Sequence, residues 1–191
     1  NYMDVYKLIY HFKWHKIINH NNTFIIKTKV NSKIINNQSF CTMRIKDGIV
    51  DRIRKEKNKR PSINKINPDF FITVYVKDNN IKVYLNRSGR PLFMRGYRTK
   101  IHKAALNESL ASGILKLTNW DNKKPLYDPM CGSGTFLIEA AMSAFNIPPR
   151  ILRKDYSFMN WKNFDEKLWN KLVEKENNKI KCFKTNFHGY D

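Results

Sequence analysis

Residues 126–141 read Leu-Tyr-Asp-Pro-Met-Cys-Gly-Ser-Gly-Thr-Phe-Leu-Ile-Glu-Ala-Ala, and this run leaves few folds open. It begins as the end of a buried strand, with Asp128 as the acid at the strand's carboxyl end. Gly132-Ser133-Gly134 follows, where the backbone can turn sharply and approach a ligand with no Cβ in the way. From Thr135 to Phe145 apolar residues recur at helical spacing, and Pro148 and Pro149 stop the helix. A strand, a glycine turn and a helix in this order predict an open α/β sheet, in which ligands sit beyond the carboxyl ends of the strands.

The same residues narrow the ligand. A phosphate loop of the G-x-x-x-x-G-K-[ST] type needs a lysine that does not follow Gly134, and a dinucleotide G-x-G-x-x-G needs glycine where Leu137 stands. A carboxylate at the strand tip would also repel a polyphosphate. It suits a cationic, amine-bearing ligand such as S-adenosyl-L-methionine, which has a sulfonium and an amino group and no phosphate. A bare G-x-G would be explained equally well by an ordinary glycine turn. The twelve-residue string from Asp128 to Glu139 is far more specific.

That string resembles the first motif of the THUMP-containing RNA guanine methyltransferases, above all the bacterial branch acting on large-subunit ribosomal RNA. The similarity continues through Ile45-Lys-Asp-Gly-Ile-Val-Asp-Arg52, Arg60-Pro61, Pro68-Asp69, Ser88-Gly89 and Arg95-Gly-Tyr-Arg98, then Glu108-Ser-Leu-Ala111 and Trp120. The fold class it implies is an α+β THUMP-like RNA-binding domain followed by the N-terminal part of an α/β Rossmann-like class I methyltransferase domain. The expected boundaries are 1–87 for the first domain, 88–103 for a basic linker and 104–191 for the N-terminal half of the second. The expected cofactor-binding residues are Asp128, facing the methionine amino group, Gly132 and Gly134 with Met130, Ser133 and Thr135 in the loop, and Asp191, holding the ribose.

Charge independently points to a polyanion. The net charge is +20, and it is unevenly placed. Residues 1–103 hold 23 basic and 6 acidic side chains, whereas 104–191 hold 13 and 10. Eight of the ten arginines fall between Arg44 and Arg98, a concentration typical of nucleic-acid sites. The candidate RNA contacts are Lys46, Arg52, Arg60, Arg95, Arg98 and Lys100, with Phe93 and Tyr97 as stacking partners. Ribosomal RNA is the expected partner, and no metal or membrane partner is expected. No run reaches the roughly 20 apolar residues of a membrane span. Three widely separated cysteines, Cys41, Cys131 and Cys182, form no metal or disulfide pattern and predict a reduced, cytoplasmic setting. Cys131 reads as a packing residue.

Taken in order, the pattern predicts a helix over 4–14, a strand over 23–30, a helix over 38–54 and a hairpin of strands 70–76 and 81–86 turning at Asp78-Asn79-Asn80. A helix over 104–117 is predicted with Leu106, Leu110, Ile114 and Leu117 as its apolar stripe. Asn107 and Glu108 either help close the cofactor pocket or lie on an exposed face. The aromatics Tyr156, Phe158, Trp161, Phe164 and Trp169 are expected to cover helix and sheet surface. A helix over 164–176 and a second parallel strand over 180–191 complete the pattern. The family's Asn-Pro-Pro-Tyr motif, which would hold the guanine and its exocyclic amine, occurs nowhere in the 191 residues. Asn67-Pro68-Asp69 is its nearest echo, and it reads as a turn. The chain is therefore expected to be part of a longer protein and to be inactive alone. A non-catalytic RNA-binding protein, and a methyltransferase of the same fold acting on transfer RNA, are the rival readings.

Overall fold

A computed structural model describes residues 1–98, 105–182 and 184–191. They cluster into two units, one of 1–89 with 156–164 and one of 90–155 with 165–191. The segment 156–164, which lies within the expected second domain, is thus built into the first unit.

The first unit opens with helix α1 (Tyr2–His11), capped by the Asn1 side chain, which accepts from the amides of Met3 and Asp4. Strand β1 (Thr23–Asn31) follows. Helix α2 (Gln38–Lys57) starts at an Asn37 cap and ends on Asn58 in the left-handed region. This closure lies three residues beyond the predicted Arg54, because the basic final turn remains helical to the Asn58 cap. Next come the two-residue strand β2 (Ser62–Ile63), β3 (Phe70–Lys77) and β4 (Asn80–Asn86). The sheet order is β2-β1-β3-β4, with β1 parallel to both β2 and β3, and β4 antiparallel to β3. β2 carries no alternation long enough to be read from sequence.

Alternation sorts the strands into two faces. Phe24, Ile72, Val74 and Val76 point inward and meet Ile45, Ile49 and Ile53, the predicted four-residue stripe of α2. Helix α1 adds Val5 and Ile9 to this core. A Cβ on Gly48 would meet the Ile9 side chain at 3.0 Å, so the helix pair needs a small residue there. Trp161 packs on the same core, its ring parallel to Phe70 at 6.4 Å between centroids. Ser157 donates to the Asp69 carbonyl oxygen at 2.6 Å. These two residues fasten 156–164 to the first unit; of the five expected covering aromatics Trp161 lies on this core, whereas Trp169 belongs to the second unit.

The second unit contains α3 (Glu108–Leu117), β5 (Leu126–Asp128), α4 (Thr135–Ala144), α5 (Glu166–Asn177) and β6 (Phe187–Gly189). β5 and β6 pair in parallel, Asp128 opposite Gly189. The strand predicted over 180–191 is confined to three described residues. Helix α3 also differs from its reading. Ala111 and Leu115 are buried, whereas Leu110, Ile114 and Leu117 are exposed. Apolar residues occupy both sides of this helix, so spacing alone could not pick the packed face. Among the described residues no helix is long and apolar enough to cross a membrane, and no cluster of three or more His, Cys, Asp or Glu side chains could hold a metal ion. All three cysteines are free.

Candidate cofactor loop and its buried supports

Beyond Asp128 the chain stays hydrogen-bonded to the neighbouring strand. The Cys131 amide donates to the Tyr190 carbonyl at 2.8 Å, and the Tyr190 amide donates to the Asp128 carbonyl at 2.9 Å. Asp128 and Asp191 therefore stand at the carboxyl ends of adjacent parallel strands. The Asp128 carboxylate accepts from the Met130 amide at 3.2 Å, which starts the turn. Gly132 has φ +49° and Gly134 has φ +71°, values that L side chains rarely adopt. A Cβ at either would meet nothing within 4 Å, so the space beyond the loop is open. Met130, Gly132, Ser133 and Asp191 are exposed, and Asp128 is half-buried.

Beneath the loop the packing is tight. A Cβ on Gly189 would lie 2.7 Å from Leu137 Cδ1 and 2.8 Å from Cys131 Sγ. Cys131 thus fills the space that the glycine leaves, the packing role read for it from sequence. Gly134 gives α4 no side-chain cap, so the amides of its first turn are available to an oxygen-bearing ligand.

The arginines of 95–98 do not lie where the charge pattern put them. Arg95 Nε donates to Glu139 Oε1 at 3.4 Å, and Tyr97 Oη donates to the same oxygen at 3.1 Å. Arg98 pairs with Glu108 at 3.2 Å and donates to the Leu106 carbonyl at 2.8 Å and to Thr135 Oγ1. Both arginines are only 12% exposed, and Glu108 and Glu139 are buried. The expected RNA contacts Arg95 and Arg98 are instead committed to buried carboxylates, because an acid on a packed helix must find a cation. Tyr97, expected to stack on bases, is held by Glu139. Burial, aided by the neighbouring Glu139 charge, pushes its phenol well above the ordinary tyrosine range. Glu108 does not lie on an exposed face. Asn107 caps α3 through the amides of Ser109 and Leu110, and Glu108 is buried against Arg98. Thr135, expected to line the cofactor, is buried and takes the Arg98 hydrogen bond.

A signal for this network was present. Glu139 is the one acid in the apolar run 135–144, and a lone acid on an apolar helix implies a buried partner. The remaining candidate RNA contacts lie in the first unit. Lys46 pairs with Asp47 at 2.8 Å, Arg52 pairs with Glu56 at 3.1 Å and lies over the Tyr10 ring, and Arg60 is exposed. Lys100 falls outside the described residues.

Residues 95–191 match the family described as RMKL-like, methyltransferase domain, and residues 1–86 match the THUMP domain. The chain is 38% identical over 197 aligned residues to the ribosomal RNA large subunit methyltransferase K/L of Buchnera aphidicola subsp. Acyrthosiphon pisum, an alignment covering 100% of this chain and 28% of that protein. The chain thus spans about 28% of the length of such curated relatives. Among solved structures, one described as a methyltransferase complexed with SAH superposes with a TM-score of 0.85 at 27% identity, covering 100% of this chain and 51% of the other. A structure from Clostridium difficile 630 gives 0.80 at 29% identity, covering 100% and 50%.

Proposed function

The chain belongs to the RMKL-like methyltransferase family and carries a THUMP domain ahead of the methyltransferase residues, and on that premise we propose that it serves S-adenosyl-L-methionine-dependent methylation of a guanine exocyclic amine in large-subunit ribosomal RNA. The observation that carries this reading is the 38% identity, spanning the entire chain, to a ribosomal RNA large subunit methyltransferase. The first unit supplies RNA affinity and the second begins the cofactor pocket, in a cytoplasmic protein.

The loop fits the cofactor. S-adenosyl-L-methionine supplies a methyl group on a sulfonium, which an amine nitrogen can attack. Open space beyond Gly132 and Gly134 admits the methionine portion close to the backbone. Asp128 would accept from its amino group, and the uncapped first turn of α4 would donate to its carboxylate. Asp191 would accept from ribose hydroxyls, as acids at the end of the second strand do in related folds. Met130 and Ser133 complete the exposed lining. The Thr135 side chain and the glutamates below it are buried; with Arg98 and Arg95 they hold the helix on which the loop is mounted.

The test uses the complete product of the gene. Large-subunit ribosomal RNA lacking its modifications should gain methyl groups on guanine amines, mapped by primer extension and nucleoside analysis. Methylation of transfer RNA instead, under competition between the two RNAs, would reject the substrate assignment. No transfer to either, from protein that binds RNA, would support the non-catalytic reading.

A further inference from the structure

The first unit's sheet has a second face that the core does not use. Register aligns Lys27, Thr73 and Tyr84 in one cross-strand row, Lys29, Tyr75 and Lys82 in the next, and Asn31, Lys77 and Asn80 in the third. All four lysines are exposed, and Tyr75 and Tyr84 are 42% and 51% exposed. No acidic residue occurs in β1, β3 or β4. The two tyrosine rings meet edge to face at 5.8 Å, and Lys29 Nζ lies 5.8 Å from the Tyr75 ring centroid. Lys29, Tyr75, Lys77, Asn80 and Lys82 line a trough of about 510 Å³.

Ordinary sheet needs account for only part of this. An edge lysine such as Lys82 discourages edge-to-edge pairing, and a cross-strand tyrosine pair adds some stability. Tyr75, however, lies on β3, which is paired along both sides, where there is no edge to protect, and Lys27 and Lys29 lie on β1 beyond its two-residue pairing with β2. Exposed aromatic rings set among cations, with no anion on the face, suit a polyanion that also carries flat apolar groups. Unpaired nucleotides have that chemistry, because their bases are free to stack. Base-paired RNA does not present its bases in this way.

Resting on the RNA-binding reading of this unit, we infer that the open sheet face is a platform for an unpaired stretch of RNA, with Tyr75 and Tyr84 stacking bases and Lys27, Lys29, Lys77 and Lys82 meeting phosphates. The surface is distinct from the α2 side chains Lys46 and Arg52 singled out from charge, since α2 covers the opposite face.

The experiment is fluorescence anisotropy of the full 191-residue chain with a labelled ten-nucleotide oligouridine, a hairpin of the same length and polyglutamate as competitor. The wild-type chain should bind the single strand more tightly than the hairpin. Tyr75→Ala with Tyr84→Ala should weaken binding about tenfold or more, the size expected when base stacking is lost. Replacing Lys27, Lys29 and Lys82 by Gln should flatten the salt dependence by about 2 in the log–log slope, since each phosphate contact on a single strand is worth about 0.7. These positions are exposed, and circular dichroism will verify that the variants fold. If the sheet-face variants bind as wild type while Lys46→Gln with Arg60→Gln loses affinity, the platform is wrong and the RNA-binding reading stands. Preference for the hairpin, or displacement by polyglutamate at equal charge concentration, would also overturn it. If the wild-type chain binds no RNA at all, both the platform and the RNA-binding reading fail together.

Discussion

Gly132 and Gly189 are both required, for different reasons. Gly132 holds a left-handed conformation facing open space, so a β-branched side chain there strains the backbone and fills the approach proposed for the cofactor. Gly132→Val should abolish S-adenosyl-L-methionine binding, measured by calorimetry on the complete gene product, while leaving RNA affinity unchanged; joint loss would indicate misfolding. Gly189 instead abuts Leu137 and Cys131, so its substitution disturbs packing. Among charged residues, Arg98 and Glu108 form a buried pair, and removing one partner strands the other. Glu108→Ala should cost about 3–5 kcal/mol, read as earlier urea unfolding by Trp120 fluorescence in single-tryptophan protein. Arg98→Ala should do the same, with RNA affinity at low denaturant intact. A fall in RNA affinity without loss of stability would return Arg98 to the RNA surface. Tyr97 links stability to alkaline pH. Its phenol is raised above the ordinary value of 10.0, so the unfolded chain releases this proton before the folded one does. Its contribution is complete below pH 10 and declines as pH rises toward the folded value. Tyr97→Phe should reduce the alkaline loss of stability between pH 10 and 11, compared with wild type by urea unfolding.

Helices and strands differ in how much of their placement is local. Asn1, Asn37, Asn107 and Asp165 each cap the helix that follows through side-chain oxygens, and such starts can be read from neighbouring residues alone. Asn107→Ala should cost about 1 kcal/mol of helix stability, seen as faster amide exchange in the first turns of α3 with no change in α5. Unchanged exchange would mean that the Arg98–Glu108 pair alone holds that end. Which face of α3 is packed was not local. Leu110 and Leu115 are equally apolar, and only the position of α4 buries Leu115 and leaves Leu110 exposed.

At the scale of the molecule, the two units are unequally built. The first has fourteen buried apolar residues in one cluster around a four-stranded sheet. Among the described residues, the second has Ala111, Leu115, Ala140 and Ala144 as its buried apolar residues, with two short paired strands. A two-stranded pair is marginal by itself. Hydrogen exchange should therefore protect β1 and β3 most strongly, while β5 and β6 exchange far sooner; equal protection would show the second unit to be as cooperative as the first.

Much of this protein is determined by short-range sequence. Alternation in 70–77 specifies a strand and its inward side chains, the stripe of α2 specifies a packed helix, and Asp128-Pro-Met-Cys-Gly-Ser-Gly specifies a strand tip and a glycine turn, because each depends on periods of two to four residues and on φ values open to few residue types. The fate of the charges depended on contacts that no local period encodes. Arg95 and Arg98 are counted with the other arginines in any tally of charge, yet Glu139 and Glu108, 44 and 10 residues away in the chain, draw them inward. The tertiary fold decided which cations reach solvent, since a buried carboxylate without its cation costs more than an arginine withdrawn from water.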